Sequence, residues 1–94
     1  MMTNTETELQ LESDVLEEKV VESKLVLHND NYNTFDWVIE TLIEVCQHDE
    51  IQAEQCALIV HHKGKCAVSH GSYTKMKMMK DEIVNRGINA TVEK

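Results

Sequence analysis

Two short polar motifs carry the residues in this chain that can do chemistry. The first is His28-Asn29-Asp30-Asn31-Tyr32, which closes the run Lys24-Leu25-Val26-Leu27. The second is Val60-His61-His62-Lys63-Gly64-Lys65, at the end of a stretch with helical spacing. Together they offer a neutral amide, a carboxylate and an imidazole to one small site. That set suits a cation with several N–H donors, such as a free α-amino group, which is largely charged at neutral pH and needs acceptors in fixed directions. It is less obviously a set for covalent chemistry. Each motif also has a plainer reading. Asn and Asp bond their own backbone, so residues 29–31 can be simply a turn. Imidazole favours the negative end of a helix dipole, so His61-His62 can be simply a helix end.

Spacing predicts the elements that must hold these motifs. Residues 24–28 read as a strand. Asn33 is expected to cap a helix, with Asp36 returning the bond as in a capping box. Val38, Leu42 and Val45 form its apolar stripe, widened by Trp37, Ile39, Ile43 and Cys46. His48-Asp49-Glu50 interrupts the pattern. Asp49 then caps a second helix, with Gln52 three residues on. Ala53, Cys56, Ala57 and Val60 give it an apolar face, and Gly64 ends it in a left-handed conformation. Cys66-Ala67-Val68 reads as a second strand and His70-Gly71-Ser72 as a turn. Ser72 or Thr74 caps a third helix reaching Arg86, with Met76, Met79 and Ile83 at helical spacing. Gly87 stops it, and residues 88–92 alternate as a last strand. The order β-α-α-β-α-β predicts an α+β fold, a three-stranded antiparallel sheet covered on one face by three helices.

A chain of 94 residues is one domain at most, with a core so small that nearly every apolar residue is expected inside. The net charge of −8 is uneven: residues 1–22 hold seven acids and one base, and residues 23–94 hold ten acids and eight bases. The reading is a flexible acidic extension over 1–22 and a nearly neutral domain over 23–94. Without a basic stripe, no nucleic-acid partner is expected. Cys46, Cys56 and Cys66 are odd in number and lack C-x-x-C spacing, which favours reduced thiols over a disulfide framework or zinc knuckle. The start has no signal-peptide pattern, and no apolar run approaches the ~20 residues that span a bilayer. A soluble, cytoplasmic protein without membrane contact or cofactor is expected. Tyr32 is expected to pack, Trp37 to be core or half-buried, and Met76, Met78 and Met79 to fill gaps in the core. Cys46 and Cys56 are expected to be buried, and Lys75, Lys77 and Lys80 to form a solvated helix face.

Residues 24–94 resemble ClpS, a family of bacterial adaptors that deliver proteins with destabilising N-terminal residues to a Clp AAA+ unfoldase. The resemblance rests on residues 25–32 (Leu-Val-Leu-His-Asn-Asp-Asn-Tyr), on a helix beginning Phe35-Asp36-Trp37-Val38, on Ala57-Leu58-Ile59-Val60-His61-His62-Lys63-Gly64-Lys65, and on residues 88–94. It implies an adaptor, not an enzyme, acting as a monomer with two kinds of partner: substrates bearing an N-degron, and a ClpA- or ClpC-like unfoldase. Asn29, Asp30 and His61 match the family's ligands of the α-amino group. The pocket for a first side chain of Leu, Phe, Tyr or Trp type would be walled by Phe35, Val38, Ala57, Val60 and Ile88, with Asn31 and Asn33 at its rim.

The sequence departs from the family pattern at Thr34, where Pro is usual, and at Phe35 and Ala57, where Met is common. One wall should be bulkier and another smaller. Residues 69–72 look lengthened and the third helix shortened. Three other readings stand beside the adaptor. One is a plain protein–protein module of the same fold without N-degron binding. Another is a hydrolase using Cys66 or Cys56 with His61 or His70, although no glycine-flanked nucleophile is present. The last is a metal-binding module built from His28, His61, His62, His70 and Asp30, although adjacent histidines do not share a helix face.

Overall fold

Alternation of side chains decides the central element. In the computed structural model, which describes residues 22–94, Glu22–His28 form strand β1. Ser23, Leu25 and Leu27 are fully buried, while Glu22 and Lys24 are exposed. The most apolar strand lies in the middle of the sheet, whose order is β2-β1-β3 with both pairings antiparallel. The other elements are α1 (Phe35–Cys46), α2 (Glu50–Lys63), β2 (Lys65–Ser72), α3 (Tyr73–Asn85) and β3 (Ala90–Glu93). Leu25 and Leu27 share one core with Leu42 and Val45 of α1, Ala53 and Val60 of α2, and Met76 and Ile83 of α3. The α+β class and the β-α-α-β-α-β order are as expected. Residues 1–21 of the acidic extension lie outside the described residues, and Glu22 belongs to β1.

Several boundaries differ from the local signals, each for a physical reason. The N-cap of α1 is Thr34, not Asn33: the Thr34 hydroxyl accepts from Trp37 N at 3.1 Å. Asn33 is drawn away because its side-chain amide donates to Asp30 Oδ2 and to the carbonyl of Gly87. The residues read as a turn, His70-Gly71-Ser72, are strand. Because β1 begins at Glu22, the pairs Lys24–His70, Ser23–Gly71 and Glu22–Ser72 extend the ladder across them. Tertiary pairing overrides a local turn preference here. Ser72 ends the strand and at once caps α3, its hydroxyl accepting from Lys75 N. The last strand begins at Ala90 and not at Ile88, since Ile88 N and Gly87 N donate to the final carbonyls of α3.

Asp49 caps α2 through Gln52 N at 2.7 Å, and Gly64 ends it at φ 95°, where a side chain would be strained. The extra residue Val68 forms a bulge in β2, since Leu25 pairs with Ser69 and Val26 with Ala67. Its carbonyl accepts from Nε2 of the buried His48 at 2.7 Å, which anchors the α1–α2 turn to the sheet.

The expectation that nearly every apolar residue is buried does not hold. Tyr32 is 93% exposed and makes no packing contribution, Ile51 is 72% exposed and Met78 is 67% exposed. Three helices on one sheet face leave their own outer faces in water, and apolar atoms there are ordinary. Met76 is fully buried and Met79 half-buried, Cys46 is buried and Cys56 half-buried. Lys77 and Lys80 both pair with Asp81 on the surface of α3. Half-buried Trp37 donates its Nε1–H to the carbonyl of Arg86, whose guanidinium lies 5.7 Å from the Trp37 ring and 2.7 Å from Glu44. This contact clamps α1 to the end of α3.

If Thr34 is the cap, Thr34→Ala should lower stability by about 0.5–2 kcal/mol in urea unfolding. A change within error would mean that Asn33 caps the helix in solution.

Candidate functional site

The loop between β1 and α1 is built around one carboxylate. Asp30 Oδ1 accepts from Tyr32 N at 2.8 Å and Asn33 N at 2.9 Å, and Oδ2 accepts from Asn33 Nδ2 at 2.8 Å. Burial alone would push the Asp30 pKa up. The two backbone N–H groups and the Asn33 amide outweigh it and hold the carboxyl below its ordinary value. Asp30 is therefore an anion at neutral pH. Each carboxylate oxygen has two lone pairs, so Oδ2 keeps one acceptor position. Asp30 bonds the backbone that follows it, as the plainer turn reading of residues 29–31 expects, and those bonds fix the charge in place.

Two further bonds seat this loop. Asn29 N donates to the carbonyl of Gly64, just after α2, and Asn33 Nδ2 to that of Gly87, just after α3, each at 2.9 Å. Both glycines sit at positive φ, 95° and 91°, so each carbonyl is aimed by a backbone turn that favours glycine. These anchors are main-chain atoms. Only the glycines that end the two helices hint at them in the sequence.

The loop closes one side of a cleft of about 420 Å³, lined by Asn29, Asp30, Asn31, Asn33, Phe35, Val38, Ala57, Val60 and His61. Helical geometry explains the grouping: Ala57, Val60 and His61 are three and four residues apart on α2, and Phe35 and Val38 are three apart on α1. Ala57 and Val60 are buried, Val38 is half-buried, and Phe35, Asn29, Asn31 and His61 are exposed. Ile88 does not line this cleft. It is buried and borders a smaller void of about 20 Å³ that shares Asn29, Asp30, Asn33, Val38 and Val60 with the cleft.

The remaining chemistry-bearing residues go elsewhere. His28 Nε2 bonds Thr91 Oγ1 at 2.8 Å, and the His62 ring, which does not line the cleft, lies edge-on to His61 with centroids 5.1 Å apart. Among the described residues, no three His, Cys, Asp or Glu side chains converge as a metal site. Burial pushes the Cys56 thiol up to about 11, with a smaller push from neighbouring Cys66, the opposite of what activates a nucleophile. No described helix is long and apolar enough to cross a membrane.

With this geometry in view, comparisons with known proteins assign the family. Residues 18–91 match the family described as ATP-dependent Clp protease adaptor protein ClpS. An ATP-dependent Clp protease adapter protein ClpS of Nitratidesulfovibrio vulgaris is 35% identical over 75 residues, which is 78% of this chain and 73% of that protein. Its counterpart in Shewanella halifaxensis is 42% identical over 66 residues, 68% of this chain and 65% of that protein. A solved structure, Agrobacterium tumefaciens ClpS2 bound to L-phenylalaninamide, has the same fold at 20% identity with a TM-score of 0.74, covering 77% of this chain and 94% of the other. The chain belongs to the ClpS family of Clp protease adaptors, which are not enzymes.

The Asp30 network carries a direct test. Asp30→Ala removes the acceptor of three hydrogen bonds and should cost about 1–3 kcal/mol of stability in urea unfolding. Asp30→Asn keeps an oxygen for the two backbone N–H groups and should cost clearly less. Because the folded pKa is lowered, the share due to charge is complete above about pH 4 and is lost as pH falls through the lowered value. Equal losses for the two variants would contradict the network.

Proposed function

We propose that this protein is an N-degron adaptor. It binds the free N-terminal residue of a substrate, with a Leu, Phe, Tyr or Trp side chain, and delivers that substrate to a ClpA- or ClpC-like unfoldase. One observation carries the reading: a single cleft joins acceptors on Asn29, Asp30 and His61 to the apolar side chains of Phe35, Val38, Ala57 and Val60. An α-ammonium group brings three donors and a charge, and a charge-assisted hydrogen bond contributes roughly 1.5–3 kcal/mol. Burying the first side chain adds about 1.5–3 kcal/mol. After association costs, affinity of about micromolar or somewhat tighter follows. The ligand in the related Agrobacterium structure, L-phenylalaninamide, supports the reading: it carries a free amine, a benzyl group and an amide in place of the peptide chain. Ile88, which borders the smaller void beside the cleft, backs the pocket wall. The acidic segment 1–21 serves in hand-over to the unfoldase, and the protein works as a monomer in the cytoplasm.

Fluorescence anisotropy with labelled peptides tests the proposal. Peptides beginning with Leu, Phe, Tyr or Trp should bind saturably and a Met-initiated control should not. No binding by any of the four would leave a protein–protein module of the same fold. His61 offers a ring nitrogen to the amine, so His61→Ala should weaken a Phe-initiated peptide about tenfold or more, the loss of one charge-assisted hydrogen bond of roughly 1.5–3 kcal/mol. Unchanged affinity would remove His61 from the site.

Position 57 should set size preference. Ala57→Met fills part of the cleft and should weaken Trp-initiated peptides about tenfold or more, corresponding to about 1–3 kcal/mol of overpacking, with less effect on Leu. An unchanged ranking would place Ala57 outside the pocket. Deleting residues 1–21 should leave peptide affinity unchanged and impair delivery to the unfoldase. Lost peptide binding would assign the segment to the pocket.

A further inference from the structure

The open acceptor position on Asp30 is aimed by one side chain. Oδ1 accepts from two backbone N–H groups, and Oδ2 accepts from Asn33 Nδ2. The second lone pair of Oδ2 therefore points where the Asn33 amide leaves it. That amide has two hydrogens and both are used, the other one donating to the carbonyl of Gly87 at 2.9 Å. A carboxylate and a carbonyl only accept, so both demand the nitrogen end of the amide and fix which way it faces. Gly87 is itself held. Just past α3, Gly87 N donates to the carbonyl of Val84 and Ile88 N to that of Ile83. One residue earlier, the carbonyl of Arg86 accepts from Trp37 Nε1 at 3.2 Å. The Arg86 guanidinium reaches back to α1, 5.7 Å from the Trp37 ring and 2.7 Å from Glu44. Trp37 is tied to the loop as well, since its backbone N donates to the hydroxyl of Thr34, the neighbour of Asn33. The contacts close a ring through Asn33, Gly87, Arg86, Trp37 and Thr34, and Asp30 is attached to that ring at Asn33. Trp37 does not line the cleft, although Phe35 and Val38 beside it do.

We propose that Trp37 is a positioning residue for the α-amino group of the ligand, acting through the carbonyl of Gly87 and the amide of Asn33 on the direction of the Asp30 carboxylate. The proposal rests on the N-degron reading above. With the Trp37 donor gone, Asp30 keeps its two backbone bonds, and the apolar wall keeps its residues. What is lost is the fixed direction of Oδ2. A charged acceptor contributes most to recognition when it is already oriented. The loss therefore falls on the amine and not on the first side chain.

The test uses the full chain carrying Trp37→Phe, which keeps an aromatic ring beside the Arg86 guanidinium and deletes the N–H donor. Labelled peptides should bind about threefold or more weakly, as the loss of one neutral hydrogen bond implies. The factor should be the same for Leu-, Phe-, Tyr- and Trp-initiated peptides, because the amine is common to all four. Asn33→Ala should weaken them at least as much. An NMR titration of the Asp30 carboxyl carbon supplies a readout that lowered stability alone does not move. In the parent, burial pushes this carboxyl up, and the backbone N–H groups of Asn33 and Tyr32 with the Asn33 amide hold it below its ordinary value. Trp37→Phe loosens that amide, so the Asp30 pKa should rise, and Asn33→Ala should raise it further. Ser72→Ala removes the cap at the far end of α3 and should change neither affinity nor titration. No binding by the parent would overturn the N-degron reading and this proposal with it. Binding by the parent, with a smaller loss in Trp37→Phe, an unmoved Asp30 titration, a changed ranking of the four peptides or an equal loss in Ser72→Ala, would overturn the proposal alone.

Discussion

The Asp30 carboxylate is the constraint on which the site depends. Half-buried anions are costly, and this one is kept charged by three donors supplied within three residues, Tyr32 N, Asn33 N and Asn33 Nδ2. Those bonds decide the path of the loop, so the charge and the shape of the cleft's polar side arise together. They also decide where α1 begins. With Asn33 committed to Asp30 and Gly87, the cap passes to Thr34, and Phe35 and Val38 are set in the first turn facing the cleft. In the proposed role, a ligand would meet acceptors whose ordering cost was met on folding, which is the condition for tight recognition of a small group.

The rest of the fold holds that loop from two sides. Gly64 after α2 and Gly87 after α3 each present a carbonyl to it, and both helices are packed against the buried central strand that feeds it. The Gly87 side is braced further: Trp37 of α1 bonds the carbonyl of Arg86, and Arg86 reaches Glu44 and Glu82. Isolated surface ion pairs contribute little. This one matters for where it sits, one residue before the glycine that aims its carbonyl at Asn33. The same strand pairing that lengthens β2 across Gly71 also fixes where α3 starts, and so where Gly87 falls.

Much of this was legible in the sequence, for identifiable reasons. The helix caps at Asp49 and Ser72, the helix end at Gly64 and the inward positions of Leu42, Val45, Met76 and Ile83 follow from local chemistry and a 3.6-residue period. The cleft residues were legible because the two polar motifs end apolar elements and bear a family resemblance, and eight of the nine lining side chains fall in or within five residues of those motifs. Illegible features all depend on distant chain. The strand character of residues 70–72 needs β1 beside them. The cap shift to Thr34 needs Gly87. Ile88 was placed in the pocket wall from its match to the family, whereas its backbone is engaged by the end of α3 and it borders a smaller void that shares five residues with the cleft.

Recognition of a free amine by prearranged acceptors makes one demand that no other use of this cleft makes: removing the charge must remove the binding. The direct measurement is the affinity of a Phe-initiated peptide against its N-acetylated twin at neutral pH and moderate salt. The account predicts saturable binding of the free amine and none of the acetylated peptide at the same concentrations, because acetylation deletes the charge and two donors and adds bulk where the acceptors stand. Comparable affinity for the two peptides would show that the cleft reads only the apolar side chain, and that the Asp30 loop shapes the protein without holding its ligand.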